Sequence, residues 1–393
     1  MRTARRTHGF TESVIREMTR VAAEHGALNL AQGFPDFEAP ELLKEAACAA
    51  IRADINQYAV TWGTPRFRRA LAEKYRRFYN MDVDEAREVT VTCGATEAMA
   101  AALLAVVNPG EEVIVFEPFY ENYGPDAILC DAKPVWVPMT PAGEPLDLDR
   151  LAAAFNKSTR AIVINTPNNP TGRIFTRAEL EAIADLCRRY DVIAVTDEIY
   201  EHIRYDGAHL PLALLDGMRD RTITISGASK TFSVTGWRIG TIIAPADITS
   251  AIRKVHDFLT VGAPAPLQEA IAVAIEQLPD DYYTTLSEQY RARRDVLYEG
   301  LISAGFKCSK PQGAYYILAD FSELSSQSDD DYARWLARGG SQPGQRTGVA
   351  SVPGSSFFHR PEDGNHLIRF AFCKRIDTLQ EAAARLRVIA RQP

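Results

Sequence analysis

Short apolar runs alternate with longer amphipathic segments between about residue 88 and residue 245. The runs, rich in β-branched residues, are EVTVTC, EVIVF, KPVWVP, RAIVIN, VIAVT, RTITIS and RIGTIIA, whereas a segment such as AELEAIADLCRRY has helical periodicity. Runs that are apolar at every position, such as VIAV, suit strands buried on both faces of a sheet. The alternation therefore predicts an α/β domain with a mostly parallel, seven-stranded sheet that is covered by helices on both faces.

The pattern changes after about residue 280. A long charged helical segment, SEQYRARRDVLYEGLISAG, precedes the apolar run GAYYILADF, a polar stretch near residues 322–346 and a closing helix. This order predicts a smaller α+β domain, in which GGSQPGQR (residues 339–346) forms a mobile surface loop. We predict an N-terminal arm and part of the small domain in residues 1–45, the large domain in 46–280 and the C-terminal small domain in 281–393.

Composition narrows the classes of partner. The 393 residues include 44 Lys and Arg against 51 Asp and Glu, a formal charge of −7, so the net charge does not favour nucleic acid or an anionic membrane. The six cysteines show no CxxC spacing, which argues against a metal centre or a disulfide framework and fits a reducing compartment. The N-terminal MRTARRTHGF is followed by polar residues, and no window resembles a membrane span. We therefore expect a cytoplasmic protein with small-molecule partners.

Polar residues follow four of the predicted strands, at the carboxyl ends where parallel sheets bind ligands. After EVTVTC, residues Gly94, Ala95 and Thr96 open an alanine-rich helix whose free N–H groups suit a phosphate. After RAIVIN comes NTPNNPTG, which contains Asn165 and Asn169. A tight turn with a helix cap also explains the first motif, and an ordinary turn explains the second.

Two further strand ends carry ionisable residues. Asp197, in TDEIYE, either accepts backbone N–H groups or pairs with a cationic ligand atom. Lys230 lies among small residues in SGASKTFSVTGWRIG; a lysine desolvated there has a lowered pKa and can attack a carbonyl group to give a Schiff base. Arg238, later in the same stretch, suits a phosphate. An aldehyde, a phosphate and a ring nitrogen that needs an acid together indicate pyridoxal 5′-phosphate as the cofactor.

Over nearly its whole length the chain resembles the class I and II aminotransferases of fold type I. The stretch GASKTFSVTGWRIG agrees with that family's lysine signature at every fixed position. The resemblance implies that Lys230 binds the aldehyde of pyridoxal phosphate as a Schiff base and later moves the substrate proton. It also implies that Arg238 holds the phosphate and that Asp197 keeps the pyridine nitrogen protonated.

The same resemblance assigns roles around the ring and the substrate. Asn169 and Tyr200 correspond to the pair that hydrogen-bonds the phenolic oxygen. Tyr120, in EPFYENY, corresponds to the aromatic residue stacked on the ring, with an ordinary core aromatic as the alternative. Arg369, in HLIRFAF, corresponds to the arginine that grips the substrate α-carboxylate, and an arginine within an apolar strand needs an anionic partner in any case. Gly33, in AQGFPDF, corresponds to the glycine whose backbone lets the carboxylate approach.

Two further positions concern the phosphate. Tyr58 resembles the tyrosine that reaches a phosphate in the neighbouring subunit, which implies a homodimer with shared active sites. The family often has a serine three residues before the lysine, where this chain has Gly227. Ser226 and Ser229 are both candidates for the missing phosphate contact.

The resemblance also indicates a reaction. Because an arginine that fixes the α-carboxylate disfavours its loss, we expect proton removal at Cα, with Lys230 as the base and with Asp197 and Tyr200 as further catalytic residues. The expected reaction is transamination, in which an α-amino group passes from an L-amino acid to a 2-oxo acid in two ping-pong half-reactions. A C–S β-lyase, which shares the first proton removal, is an alternative.

The substrate is less well defined. The stretches TRVAAEHGALNLAQGFPDF, VTCGATEAM and EPFYENY most resemble the kynurenine, glutamine, methionine and succinyl-diaminopimelate aminotransferases. Thr96 stands where aspartate-specific relatives can carry a lysine, while Ile15 and Gly262 stand where kynurenine-type enzymes carry an aromatic residue and a histidine. We expect a neutral or aromatic donor, with 2-oxoglutarate or another 2-oxo acid as acceptor. Aspartate or another acidic donor, paired with Arg16, is the alternative.

Overall fold

A seven-stranded sheet, a smaller four-stranded sheet and the helices around them dominate the described part of the chain. The computed structural model describes residues 3–139, 144–340 and 347–390. Apart from short 3-10 turns, its helices are α1 (Val14–His25), α2 (Glu41–Arg52), α3 (Pro65–Tyr79), α4 (Ala95–Val106), α5 (Tyr123–Leu129), α6 (Leu148–Ala154), α7 (Arg177–Tyr190), α8 (Ala228–Thr231), α9 (Ala246–Thr260), α10 (Ala265–Gln277), α11 (Asp280–Ala304), α12 (Asp329–Arg338) and α13 (Ile376–Ile389). Its strands are β1 (Leu28–Asn29), β2 (Val89–Thr92), β3 (Glu112–Glu117), β4 (Lys133–Pro138), β5 (Thr159–Asn165), β6 (Ile193–Asp197), β7 (Thr222–Gly227), β8 (Gly240–Ile243), β9 (Lys307–Cys308), β10 (Tyr316–Asp320), β11 (Val349–Ala350), β12 (Val352–Pro353) and β13 (Leu367–Ala371).

The large sheet has the strand order β2-β8-β7-β6-β5-β3-β4. Strand β8 is antiparallel to both of its neighbours, and the remaining pairs are parallel. Every residue of β2, β6 and β8 is buried, because α4, α5 and α9 pack on one face of the sheet, while α3 and α10 cover the other face at β2 and β8 and α6 and α7 cover it further along. The predicted mostly parallel sheet is confirmed, and its seven strands are the seven apolar runs of the sequence.

The reversed direction of β8 brings the carboxyl ends of the other strands to one edge of the sheet. Because β8 is antiparallel to both β2 and β7, those two strands run in the same direction, and β2, β5, β6 and β7 all end at one edge of the sheet. In the register of the sheet, Asn165 lies opposite Asp197 and Gly227 lies opposite Gly240. The polar residues at the ends of separate strands therefore meet at this edge.

Local sequence explains several helix starts. The Thr176 hydroxyl accepts a hydrogen bond from the backbone N–H of Glu179, and the Glu179 carboxylate accepts one from the backbone N–H of Thr176, so a reciprocal capping box opens α7. Thr64 caps α3, where Pro65 occupies the first helical position. These caps satisfy backbone donors that the helices themselves leave free.

The C-terminal region forms an antiparallel sheet in the order β12-β13-β10-β9. Helices α11, α12 and α13 pack against it around the buried side chains of Leu297, Tyr332, Phe370 and Leu386. Strand β1 pairs in parallel with β11, and α1 contacts α12. The N-terminal arm therefore lies with this C-terminal α+β region.

The predicted domain boundaries remain predictions. Residue 45 falls inside α2, which packs against α10, and α11 begins at Asp280, beside the second boundary. Residues 341–346, most of the predicted mobile loop, lie outside the described residues. Within the described ranges, no helix has both the length and the apolar character that crossing a membrane requires. Those ranges also contain no cluster of three or more His, Cys, Asp or Glu side chains that could hold a metal ion.

Candidate active site

A cavity of about 470 Å³ lies at the edge of the large sheet where β2, β3, β5, β6 and β7 end. Its wall combines residues that follow those strands with residues of the N-terminal segment, such as Gly33, and with Tyr316 of β10 and Arg369 of β13. Both sheets therefore contribute to one cavity, and its volume is that of an ordinary small-molecule site.

Lys230 lines this cavity from α8, a single helical turn directly after β7. Its Nζ atom donates to the carbonyl oxygen of Gly33 at 3.5 Å and lies 5.8 and 5.5 Å from the ring centres of Tyr200 and Tyr315. Burial lowers the pKa of this amine to about 8. Lys230 therefore loses its proton more readily than a solvated lysine, as a nucleophile or a general base requires.

Gly227, where the family resemblance predicts a serine, has a steric explanation. A Cβ atom there would lie 2.6 Å from the carbonyl oxygen of Ile239, because β7 and β8 are closely paired. Of the two nearby serines, Ser229 lines the cavity, whereas the Ser226 hydroxyl donates to the Glu201 carboxylate at 2.7 Å. Ser226 does not line the cavity and its hydroxyl is engaged by Glu201, so Ser229 is the better placed of the two serines for a phosphate contact, and both assignments stay predictions.

Asp197 ends β6 and lines the cavity. Its Oδ2 atom accepts from the Tyr123 hydroxyl at 2.7 Å, and its Oδ1 atom accepts from the backbone N–H of Ile199 at 3.2 Å. Burial raises the pKa of this carboxyl group, whereas nearby donors and Lys230 lower it. A cationic ligand atom beside Asp197 would favour its ionised form. Tyr123 was missed in the sequence, although it belongs to the same EPFYENY stretch as Tyr120.

Arg369, in the middle of β13, is fully buried and forms no ion pair with any described acidic residue. Its Nη1 atom donates to Oδ1 of Asn169 at 2.8 Å, and its Nη2 atom donates to the carbonyl oxygen of Ala31 at 2.7 Å. Its Nε atom has no hydrogen-bond partner within the described residues. The rings of Tyr316 and Phe357 lie 4.3 and 4.9 Å from its Cζ atom. A buried cation held in this way is suited to an anion that enters from the cavity.

Two tyrosines contact Gly33, and a third, Tyr200, bonds to one of them. The Tyr315 hydroxyl donates to the Gly33 carbonyl oxygen at 2.9 Å, and a Cβ atom on Gly33 would lie 2.1 Å from the Tyr316 hydroxyl, so only glycine fits. The Tyr200 hydroxyl donates to that of Tyr316 at 3.2 Å, and burial raises the pKa of Tyr200, which keeps it protonated. Tyr315 and Tyr316 were not predicted; the available signal was a pair of tyrosines at the start of the apolar run GAYYILADF.

Another part of the cavity offers donors for an anion. Helix α4 begins with Ala95 and Thr96, which line the cavity, after Gly94 at a φ of 87° that favours glycine. The Arg238 guanidinium lies against this turn, since a Cβ atom on Gly94 would be 2.3 Å from its Nη2 atom. Ser229 and Arg238 also line the cavity. A helix start, a guanidinium and a hydroxyl together suit a phosphate group.

Comparison with known proteins decides which family shares this geometry. The family model described as aminotransferase class I and II matches residues 26–386. The chain belongs to the class I and II aminotransferases. It is 41% identical to the probable N-succinyldiaminopimelate aminotransferase of Mycobacterium tuberculosis, over 100% of this chain and 99% of that protein. It is 35% identical to kynurenine–oxoglutarate transaminase 1 of Homo sapiens, over 98% of this chain and 97% of that protein.

A solved structure extends the match to three dimensions. The solved structure of N-succinyldiaminopimelate aminotransferase from Mycobacterium tuberculosis superposes on this aminotransferase with a TM-score of 0.93 and 42% sequence identity. The superposition covers 98% of this chain and 99% of the chain of that structure. The chain is thus a pyridoxal-phosphate-dependent aminotransferase with the fold type I architecture. The predicted family, enzyme class and cofactor are confirmed.

The cavity of the aminotransferase fits its cofactor. Asp197 is a buried carboxyl group available to a ring nitrogen, and Lys230 is a buried amine available to an aldehyde. The start of α4, where Gly94 leaves room for the Arg238 guanidinium, is available to the phosphate. Arg369 retains a buried Nε atom without a partner in the described residues, which a substrate carboxylate can use.

The remaining predicted residues divide between the cavity and the surface. Tyr120 lines the cavity, and its ring meets that of Tyr123 edge to face with the centroids 5.8 Å apart. Ile15 and Arg16 also line the cavity. Tyr58 does not line the cavity of its own chain, and 88% of its surface is exposed. Tyr58 is thus poorly placed to contact a ligand in the cavity of its own chain.

Proposed function

We propose that this aminotransferase transfers the α-amino group of a neutral or aromatic L-amino acid to a 2-oxo acid such as 2-oxoglutarate. The proposal is carried by one observation: Lys230 and the buried Arg369, which has no acidic partner among the described residues, face the same cavity. An α-carboxylate bound to Arg369 would bring the Cα atom of an amino acid within reach of the lysine amine. Apolar contact for a large substrate side chain comes from Ile15, Phe34 and Met99.

The chain's own residues supply orientation and proton transfer. When bound, pyridoxal phosphate supplies an aldehyde carbon for the amino group and a ring that draws electrons from Cα. Arg369 binds the α-carboxylate through its planar fork, which fixes the orientation of Cα. Lys230 Nζ then removes the Cα proton and holds it as an ammonium group until the proton is returned. The lowered pKa of Lys230, about 8, lets the amine act as a base near neutral pH.

The cofactor contacts follow from the donors and acceptors available. We assign Asp197 to the pyridine nitrogen, because a carboxylate is the group that holds a proton there. Asn169 already uses its Oδ1 atom to accept from Arg369, which leaves its Nδ2 group to donate to the phenolic oxygen beside Tyr200. Asn169 would thereby join the carboxylate-binding arginine to the ring. The assigned phosphate contacts are Arg238, Ser229 and the start of α4 at Ala95 and Thr96, with Tyr120 stacked on the ring.

The names of the relatives show that aminotransferases of this family act on more than one kind of amino donor. Their names refer to N-succinyldiaminopimelate and kynurenine, so members of the family differ in their amino donors. Both names describe amino transfer, which favours transamination over the β-lyase reaction. We do not assign kynurenine, since Ile15 and Gly262 replace the aromatic residue and the histidine expected for it.

We also propose a homodimer in which each chain completes the partner's site through Tyr58. The observation behind it is an exposed apolar surface on two segments that touch: Tyr58 is 88% and Phe258 91% exposed. The segments meet where the His256 ring donates to the carbonyl oxygen of Thr61 at 2.8 Å. Further exposed apolar residues of these segments are Val60, Leu259 and Val261. Such a surface suits a second copy of this chain.

A half-reaction screen tests the donor. The purified holoenzyme is mixed with each amino acid in turn, and loss of the visible absorbance of the Lys230-bound cofactor is followed. Neutral and aromatic donors should react at least about tenfold faster than aspartate or glutamate. Faster reaction with an acidic donor would overturn the donor assignment. Pyruvate and ammonia as the main products from a cysteine conjugate would overturn the preference for transfer.

Sedimentation of the holoenzyme tests the dimer. A monomer at micromolar concentration would overturn the shared site, and a dimer whose Tyr58→Phe variant retains cofactor as tightly as the parent would remove the role of Tyr58. The cytoplasmic location stays a prediction from the sequence.

A further inference from the structure

One buried histidine bonds to two segments that bear on phosphate binding. His256, on α9, is completely buried. Its Nδ1 atom lies 2.5 Å from Oε1 of Glu97, in the first turn of α4, and its Nε2 atom lies 2.8 Å from the carbonyl oxygen of Thr61. Because a carbonyl oxygen only accepts, Nε2 must carry a proton. His256 thus ties the start of α4 to the segment that carries Tyr58.

The α4 end of this link is held by more than the histidine. Oε2 of Glu97 accepts from the backbone N–H of Cys93 at 2.5 Å, and Oε1 also accepts from the Thr260 hydroxyl at 3.0 Å. The Cys93 thiol in turn points at the carbonyl oxygen of Gly262, 3.5 Å away. Removal of the histidine bond would therefore leave Glu97 with two other donors, and the turn before α4 would keep its shape.

The Tyr58 end depends more strongly on α9. The segment 58–63 is close to the helix at two points: Thr61 accepts from His256, and the Arg253 guanidinium lies 4.8 Å from the ring centre of Trp62. The carbonyl oxygen of Trp62 accepts from Val91 of β2 at 3.1 Å. Thr61 lies between this anchored tryptophan and the exposed Tyr58. Among the described residues, the bond from His256 is the nearest side-chain hydrogen bond on the C-terminal side of Tyr58, beside a backbone bond from Gly63 to Val60 at 2.8 Å.

We propose that His256 is a positioning residue that sets Tyr58 for the phosphate of the partner's cofactor. The proposal rests on the homodimer proposed above. The effect is expected in trans. Loss of the bond between His256 and Thr61 in one chain should disturb the partner's site, which Tyr58 of that chain contacts, and should leave the site of the substituted chain itself unchanged. A purely structural role for a buried histidine would instead affect both sites alike or the nearer one more.

Two substitutions separate the two bonds of the histidine. His256→Gln can place its amide N–H near the former Nε2 atom and keep the donor to Thr61. His256→Asn is shorter, can reach only toward Glu97, and loses the bond to Thr61. Thr249→Val is the control on the same helix: it removes a buried hydroxyl that donates to Ala244 at 2.9 Å, far along α9 from the Tyr58 segment.

The experiment uses heterodimers purified through two different tags. One chain carries Lys230→Ala, so that the visible absorbance of lysine-bound cofactor reports only the site of the other chain. Each of the three α9 substitutions is placed either on the Lys230→Ala chain, which delivers Tyr58 to the reporting site, or on the lysine-bearing chain. The dissociation constant of the cofactor at the reporting site is measured after dialysis, together with the sedimentation of each heterodimer. Tyr58→Phe is placed in the same two arrangements.

Loss of one hydrogen bond to the Tyr58 segment should weaken cofactor binding about tenfold when His256→Asn is in trans, and less than about twofold when it is in cis. His256→Gln and Thr249→Val should stay within about twofold of the parent in both arrangements. Equal or greater weakening in cis, or no rescue by glutamine, overturns the role of His256 alone. If the heterodimers form and Tyr58→Phe has no effect in trans, the shared site fails and the inference fails with it.

Discussion

The cofactor end of the cavity and its rim are built in different ways. The rim consists of Ser13, Ile15, Arg16, Glu121 and Asn122. At the cofactor end, buried ionisable groups are held by short-range contacts, as Asp197 is by Tyr123. At the rim, the Ser13 hydroxyl donates to Glu121, but the guanidinium of Arg16 is exposed and forms no hydrogen bond within the described residues. Asp197 is thus oriented by contacts within the protein, whereas no described hydrogen bond orients the Arg16 guanidinium at the rim.

This difference separates chemistry from specificity. The cofactor end is assembled from residues at the ends of several strands of one sheet, a framework suited to holding side chains in a defined geometry. The rim comes from the N-terminal segment, which lies with the C-terminal region, and from residues after β3. Substitution at the cofactor end should therefore affect every substrate, and substitution at the rim should affect only some.

The largest expected effect is that of Lys230→Ala. Removal of the amine deletes the proposed base and the attachment point of the cofactor, so kcat should fall by more than about 10⁴-fold for every donor. Steady-state rates with several donors measure the loss, and the visible band of the lysine-bound cofactor should disappear. Lys157→Ala, which removes an exposed lysine, is the control and should match the parent. Full transamination by Lys230→Ala would refute the mechanism.

Arg369→Lys should have the next largest effect. Lysine keeps the buried charge but cannot make the paired bonds of the guanidinium, so kcat/KM should fall by about 10²-fold for all amino acids. The absorbance of the bound cofactor should persist, because we assign Arg369 to the substrate carboxylate and not to the phosphate. Arg238→Gln provides the contrast: it should release cofactor on dialysis. An Arg369→Lys enzyme with an unchanged kcat/KM would show that another group binds the α-carboxylate.

The rate at which the apoenzyme takes up cofactor should depend on the protonation of Lys230. Burial lowers the pKa of Lys230 to about 8, so the amine is mostly protonated at pH 7 and mostly neutral at pH 9. Only the neutral form attacks an aldehyde, and the rate should therefore rise about tenfold between these pH values and then level off. Stopped-flow absorbance measures it. A cofactor analogue without the aldehyde is the control, and its rate of binding should not show the rise of about tenfold between pH 7 and pH 9. A rate still rising above pH 10 would indicate a solvated lysine.

The sequence was informative where a residue's role follows from its place after a strand. The strand runs and their polar ends predict the seven strands and bring Asp197 and Lys230 to one edge. Alternation along β7 could not show which way Ser226 points, because both faces of the strand are buried and a hydroxyl can be satisfied on either, and Ser229 lies beyond the strand in α8. Only the contact with Glu201 shows which way Ser226 points.

Residues that act through tertiary contacts were harder to predict. Tyr316 reaches Tyr200 across 116 positions of sequence, and nothing in the apolar run around it indicates that contact. His256 is similar, since its partners Glu97 and Thr61 are 159 and 195 positions away. The spacing between such residues reflects packing of separate elements, which periodicity within one element does not encode.

The smallest expected effect concerns the rim, through Arg16→Ala. Three arginines line the cavity: Arg238 is assigned to the phosphate and Arg369 to the α-carboxylate, which leaves Arg16. We therefore expect the Arg16 guanidinium to attract the distal carboxylate of 2-oxoglutarate. Because its side chain is exposed, the KM for 2-oxoglutarate should rise only about two- to fivefold, and less at high salt. The KM for a monocarboxylic 2-oxo acid should stay the same. Arg20→Ala, which removes an exposed guanidinium one turn further along α1 and outside the cavity wall, should change neither value. Equal changes in the KM values of both acceptors would mean that Arg16 affects the shape of the rim and does not recognise the charge of the substrate. The rim would then differ from the cofactor end in its packing and not in charge recognition.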